Sequence, residues 1–154
     1  MSRVAIVTDS ASDLPPEVAA AAGITVVPLV VNFGSETFRP NVNLTTDEFW
    51  ARMTAPDAPF PTTAAASPGD FGLAYQAAFD AGADAVVCIT VSGDLSGTLK
   101  SATLGARELP DREIHVIDSR SASMGHGMLA QVGAEMAAGG ASGAAIAAAL
   151  EEAR

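Results

Sequence analysis

Ala85-Val86-Val87-Cys88-Ile89-Thr90-Val91 runs directly into Ser92-Gly93-Asp94-Leu95-Ser96-Gly97-Thr98. The first half is apolar and β-branched without alternation, the pattern of a strand covered on both faces. The second half is a loop of hydroxyls and glycines. Leu95, Leu99, Ala102, Ala106 and Leu109 then recur at helical spacing. Strand, loop and helix in that order make a crossover unit, the connection that parallel strands require.

The same order repeats on either side. Val4-Ala5-Ile6-Val7 is a short buried strand that ends in Thr8-Asp9-Ser10-Ala11-Ser12-Asp13. Ser12 or Asp13 is expected to cap a helix through Ala22, with Pro15 and Pro16 in its first turn and Gly23 as its stop. Ile24 to Val31 reads as a second strand, and Asn32 to Arg39 as an extended excursion turning at Gly34. Thr45 or Thr46 caps a helix bearing Phe49, Trp50 and Met53. Ala55 to Pro61 is a proline-rich loop. Ser67-Pro68-Gly69-Asp70 has the residues of a capping box, and Phe71, Tyr75, Ala78 and Phe79 form the stripe behind it. Glu113 to Asp118 gives a further strand. Ser121 or Ser123 starts a helix to about Ala138, and Ser142 to Arg154 reads as a last helix that stops without a cap. Strand and helix alternate throughout, which predicts an α/β fold: a mostly parallel sheet with helices on both faces.

At 154 residues the chain supports one domain with a sizeable core. Its net charge of −10, with only 8 Lys plus Arg, argues against nucleic acid and anionic membrane surfaces as partners. No apolar run is long enough to predict a membrane-spanning segment, and the start lacks a signal-peptide pattern. Cys88 has no second cysteine to pair with and reads as a small buried hydrophobe. Together these set the cytoplasm as the expected location.

Three hydroxyl-bearing loops fall where strands end and helices begin: Thr8–Asp13, Thr62–Asp70 and Ser92–Thr98. In open α/β sheets that rim is where ligands bind, against free helix N–H groups. Ser67 is accounted for by its cap, whereas Thr63 and its neighbour Thr62 are not. Ser96 precedes Gly97-Thr98 at a helix start, and the glycines at 93 and 97 permit close approach of a ligand to the backbone. A rim of hydroxyls without Lys or Arg suits a single carboxylate, which accepts several hydrogen bonds, better than a polyphosphate. His115 reads as a surface or packing residue, and so does His126, with a place near a pocket at its strand end as the lesser alternative. Neither His115 nor His126 has metal-ligand spacing, so no metal site is expected. Asp9, Asp13, Asp70, Asp94 and Asp118 also fall in loops. They leave open an alternative: a phosphoryl-transfer enzyme using Mg²⁺, against which the poverty in cations argues.

These residues, taken in order, resemble the DegV family of bacterial fatty-acid-binding proteins. The likeness lies in Thr8-Asp9-Ser10-Ala11-Ser12-Asp13-Leu14, Pro61-Thr62-Thr63, Ser67-Pro68-Gly69-Asp70-Phe71, Leu95-Ser96-Gly97-Thr98 and Val116-Ile117-Asp118-Ser119. The resemblance implies a non-catalytic protein with no cofactor, carrying one long-chain fatty acid as ligand. The acyl chain would lie in an apolar tunnel and the carboxylate on Thr63 and Ser96, with Ser92, Gly97, Thr98 and Thr62 as secondary candidates. It further implies a partner, an ATP-dependent fatty-acid kinase subunit that converts the presented acid to an acyl phosphate for phospholipid synthesis. Departures occur at Ala64-Ala65-Ala66, at Ser92-Gly93 and at Arg39-Pro40-Asn41. Residues 1–154 resemble only the family's N-terminal α/β lipid-binding domain. The C-terminal domain that closes over the ligand is absent from this chain, so weak binding or a homodimer through exposed apolar surface is expected.

Overall fold

The computed structural model describes residues 3–154, and its centre is a parallel sheet of β1 (Val4–Asp9), β2 (Ile24–Val27), β6 (Ala85–Thr90) and β7 (Glu113–Asp118). The strand order is β2-β1-β6-β7. β6 is buried at every position, as its unbroken apolar run requires. One face of the sheet packs Ile6, Val87, Ile89 and Ile117 against α1 (Pro16–Ala21), α5 (Ser123–Ala138) and α6 (Gly143–Ala153). The other packs Val7, Val86 and Cys88 against Phe71, Tyr75 and Phe79 of α3 (Pro68–Asp80) and Ala102 of α4 (Thr98–Arg107). The expected fold, a parallel sheet with helices on both faces, is the one observed. Burial pushes the Cys88 thiol up to about 12, so it is a neutral core group.

The region between β2 and α3 departs from expectation. Ile24 to Val31 is not one strand: Pro28 has no N–H for the ladder, and the chain leaves the parallel sheet after Val27. It re-forms as β3 (Val30–Phe33) in a separate antiparallel sheet with β4 (Glu36–Phe38) and β5 (Thr62–Ala64), ordered β4-β3-β5. Thr62 and Thr63 therefore belong to a strand instead of a loop, and Thr63 pairs with Val31. Helix α2 (Thr46–Met53) covers this small sheet, with Phe49 5.7 Å from Phe33 and Met53 against the same cluster.

Helix starts follow local chemistry where it is strong. Ser67 and Asp70 form the reciprocal capping box, and Thr45 with Glu48 forms another. The Ser67 hydroxyl holds the Asp70 carboxyl below its ordinary range, despite some opposing desolvation. A depressed carboxylate stabilises the fold above its unfolded pKa and loses that contribution as pH falls through the folded value. Ser67→Ala is expected to cost about 1 kcal/mol at neutral pH. Urea melts should show that penalty shrinking in acid.

One helix start is corrected. Neither Ser12 nor Asp13 caps α1. Asp9 instead caps a 3-10 turn (Ser10–Ser12) that Asp13 ends in a left-handed conformation, and α1 begins after Pro15 without a side-chain cap. Gly97 occupies the cap position of α4, and α5 begins at Ser123, one of its two expected starts.

Candidate functional site

β1 hands the chain to β2 on one side, and β6 hands it to β7 on the other, so strand order reverses between β1 and β6. A crevice outside the carboxyl ends of two such strands is the usual ligand position in open α/β sheets. Here Asp9 bridges it. Its Oδ1 accepts from the Ala11 N–H at 2.9 Å and its Oδ2 from the Val91 N–H at 2.8 Å, with the residue fully buried. Burial raises the Asp9 pKa against the opposing pull of His126 and the two N–H donors.

Behind this bridge lies a polar lock. Thr8 Oγ1 donates to the Ile89 carbonyl at 3.0 Å. The same hydroxyl oxygen lies 2.8 Å from His126 Nε2, within hydrogen-bond distance. The same nitrogen lies 3.1 Å from the Ile89 carbonyl, while Nδ1 is buried without a partner among the described residues. His126 is thus a core histidine that ties α5 to β1 and β6. It does not line the cavity described next. Gly127 lets α5 approach so closely, because a Cβ there would stand 2.6 Å from the Ser12 carbonyl oxygen.

A cavity of about 710 Å³ opens on the β1 side of this lock. The 3-10 turn and the start of α1 form one wall through Ser10, Asp13, Leu14, Pro15 and Pro16. Leu29, Val31, Leu44, Phe49 and Trp50 form the opposite wall, with Thr63 among the lining hydroxyls. The volume falls within the range that encloses an organic ligand, and the lining is mainly apolar. Its charged lining residues are Asp13 and Glu17, with no Lys or Arg. Of this lining, the sequence reading marked the Thr8–Asp13 loop and Thr63 as part of a site, and gave no such mark to Leu29, Leu44 or α2.

The proposed head-group residues are divided between two places. Thr63 is exposed on β5 and faces the cavity. Thr62 is exposed opposite Asn32 on the same small sheet. Ser96, Ser92, Gly97 and Thr98 sit beyond β6, outside the cavity lining. Ser96 Oγ lies 2.8 Å from Thr98 Oγ1 and accepts the Thr98 N–H at 3.2 Å. Thr98 is fully buried, whereas Ser92 Oγ accepts from the Asp94 N–H. Asp118 steadies that loop by accepting from the Gly93 and Arg120 N–H groups. Asp9, Asp70 and Asp118 are each spent on backbone donors. Among the described residues, no three His, Cys, Asp or Glu gather as a metal-binding group.

A DegV domain-containing protein of Caldanaerobacter subterraneus is 38% identical over 143 residues, covering 92% of this chain and 50% of its own length. Among solved structures, one described as showing fatty acid binding by a DegV family protein from Thermus thermophilus superimposes with a TM-score of 0.87. It is 40% identical and covers 97% of this chain and 52% of its own. A fat acid (stearic acid)-binding protein from Eubacterium ventriosum gives a TM-score of 0.83 at 32% identity, over 98% of this chain and 52% of its own. The chain spans about half the length of the relatives it matches. The profile described as "Uncharacterised protein, DegV family" matches residues 3–154, and with that extent of agreement the chain belongs to the DegV family.

Proposed function

We propose that this chain is the N-terminal lipid-binding domain of a two-domain protein that holds one long-chain fatty acid. The acyl chain occupies the cavity between the 3-10 turn and α2, and Thr63 meets the carboxylate. The observation that carries this reading is the cavity itself: about 710 Å³, lined mainly by apolar side chains, with the Thr63 hydroxyl and no cation among its lining residues. Burying about 15 methylenes at ~0.8 kcal/mol each supplies roughly 12 kcal/mol before ordering costs, so the tail provides most of the affinity. The hydroxyl sets orientation. Ser96 joins the head-group site from the loop after β6 when the second domain closes over the ligand. The domain is a carrier without catalysis of its own. It presents the acid to a separate ATP-dependent kinase subunit, which makes the acyl phosphate used in phospholipid synthesis.

Trp50 is the sole tryptophan and lines the cavity while still half-exposed. Titration with stearate is expected to shift its emission to shorter wavelength as the tail displaces water. Thr63→Ala should weaken binding about tenfold, equivalent to one hydrogen bond to a charged acceptor. Solvent extraction of a longer form carrying the second domain should release a fatty acid, identified by mass spectrometry. An empty longer form, together with silent Trp50 emission, would overturn the reading. Unchanged binding in Thr63→Ala would remove that residue alone.

A further inference from the structure

Ser10 opens the 3-10 turn after β1, half-buried, and lines the cavity. Its Oγ accepts the Leu29 N–H at 3.0 Å. That bond uses one lone pair and leaves the hydroxyl hydrogen, which has no acceptor among the described residues. Leu29 immediately precedes β3, two residues from Val31, and Val31 pairs with Thr63. Alternate residues of an extended chain share a face, and Leu29, Val31 and Thr63 all line the cavity. The bond to Leu29 therefore holds Ser10 beside the face that carries Thr63.

The other lining hydroxyls differ. Thr45 Oγ1 donates to the Glu48 carboxylate and accepts the Glu48 N–H, so the cap of α2 consumes it. Thr46 is exposed in the first turn of α2, and no hydrogen bond orients its side chain among the described residues. Asp13 and Glu17, exposed in the same lining, belong to no ion pair among the described residues. Both repel an anionic head group, so its stabilisation has to come from neutral donors.

We propose, on the fatty-acid reading of the cavity, that Ser10 is a second head-group donor: its hydroxyl and that of Thr63 each give a hydrogen bond to the bound carboxylate. The two carboxylate oxygens have lone pairs enough for both. The Ser10 oxygen keeps the Leu29 N–H while it donates, so the head group binds without breaking a bond of the wall. Ser10 also selects the free acid over its ester, because a charged acceptor makes such a bond about twice as strong.

The test uses the full chain, with myristate and methyl myristate followed through Trp50 emission. Ser10→Ala should weaken myristate about tenfold, and the ester about threefold or less, the values of a bond to a charged and to a neutral acceptor. The same variant strands the Leu29 N–H, and the ester measures any loosening of the wall that results. Ser10→Thr keeps both donor and acceptor and should bind myristate within about threefold of the unaltered chain. Thr46→Ala should leave both affinities in place. NMR of carboxyl-labelled myristate should show its bound pKa rising by as much as about one unit in Ser10→Ala, because loss of a donor disfavours the carboxylate. Equal losses for acid and ester, an unmoved carboxyl pKa, or an equal loss in Thr46→Ala would overturn the proposal and leave Ser10 a wall residue. An unaltered chain that binds neither ligand would overturn the fatty-acid reading itself.

Discussion

Phe71→Ala is expected to lower the unfolding free energy by about 4 kcal/mol, the usual cost of emptying a fully buried aromatic site. Phe71 has no exposed surface, and it joins Tyr75 of its own helix at a ring separation of 6.1 Å. It also stands where α3 and α4 come closest, since a Cβ on Gly105 would lie only 3.0 Å from the Phe71 Cβ. Two helices and the β1–β6 face therefore lose contacts together, and they have little room to collapse into the void. Urea unfolding should show the midpoint fall with an unchanged slope. Leu73→Ala, on the exposed side of α3, should change stability by less than about 0.5 kcal/mol. Equal effects from the two would mean that this helix does not present the face described.

Asp9→Ala is expected to cost about 3 kcal/mol at neutral pH. The change removes both acceptors from the crevice and strands the buried Val91 N–H, while the Ala11 N–H loses its cap. The pH dependence has a definite sign. Desolvation raises the folded pKa of Asp9 above its ordinary value of 3.8. Its protonated form therefore stabilises the fold fully below the unfolded pKa, and that contribution is lost as pH rises through the elevated folded value. The wild-type advantage over Asp9→Ala should accordingly be largest in acid and decline to the neutral plateau. An advantage that grows with rising pH would show Asp9 to be a stabilised carboxylate instead of a desolvated one. Because Ser10 and Ala11 line the cavity next to this bridge, the variant should also lose fatty-acid affinity under conditions where it remains folded.

The residues legible beforehand were those whose partners are close in the chain. Ser67 and Asp70 cap α3 with bonds only three residues apart, so their spacing alone was enough. The apolar run of β6 announced a strand covered on both faces, because no partial exposure interrupts it. Alternation of such strands with helical stripes then fixed the layer order.

The site was harder. A proline at position 28 signals an interruption, but not that the chain crosses to a second sheet, where Val31 meets Thr63 across 32 positions. That pairing creates one wall of the cavity. His126 carried no local mark separating a ligand from a core residue. Its role emerged only when α5 was packed against Thr8 and Ile89. Sequence by itself determined the order of the parallel strands and their helices, the capped start of α3 and the scarcity of cations. Tertiary structure decided which of the hydroxyls shares an apolar cavity and which is held by its own loop. The physical reason is range: caps and periodicity act within a turn or two, whereas a cavity is formed by surfaces that meet only after the chain has folded.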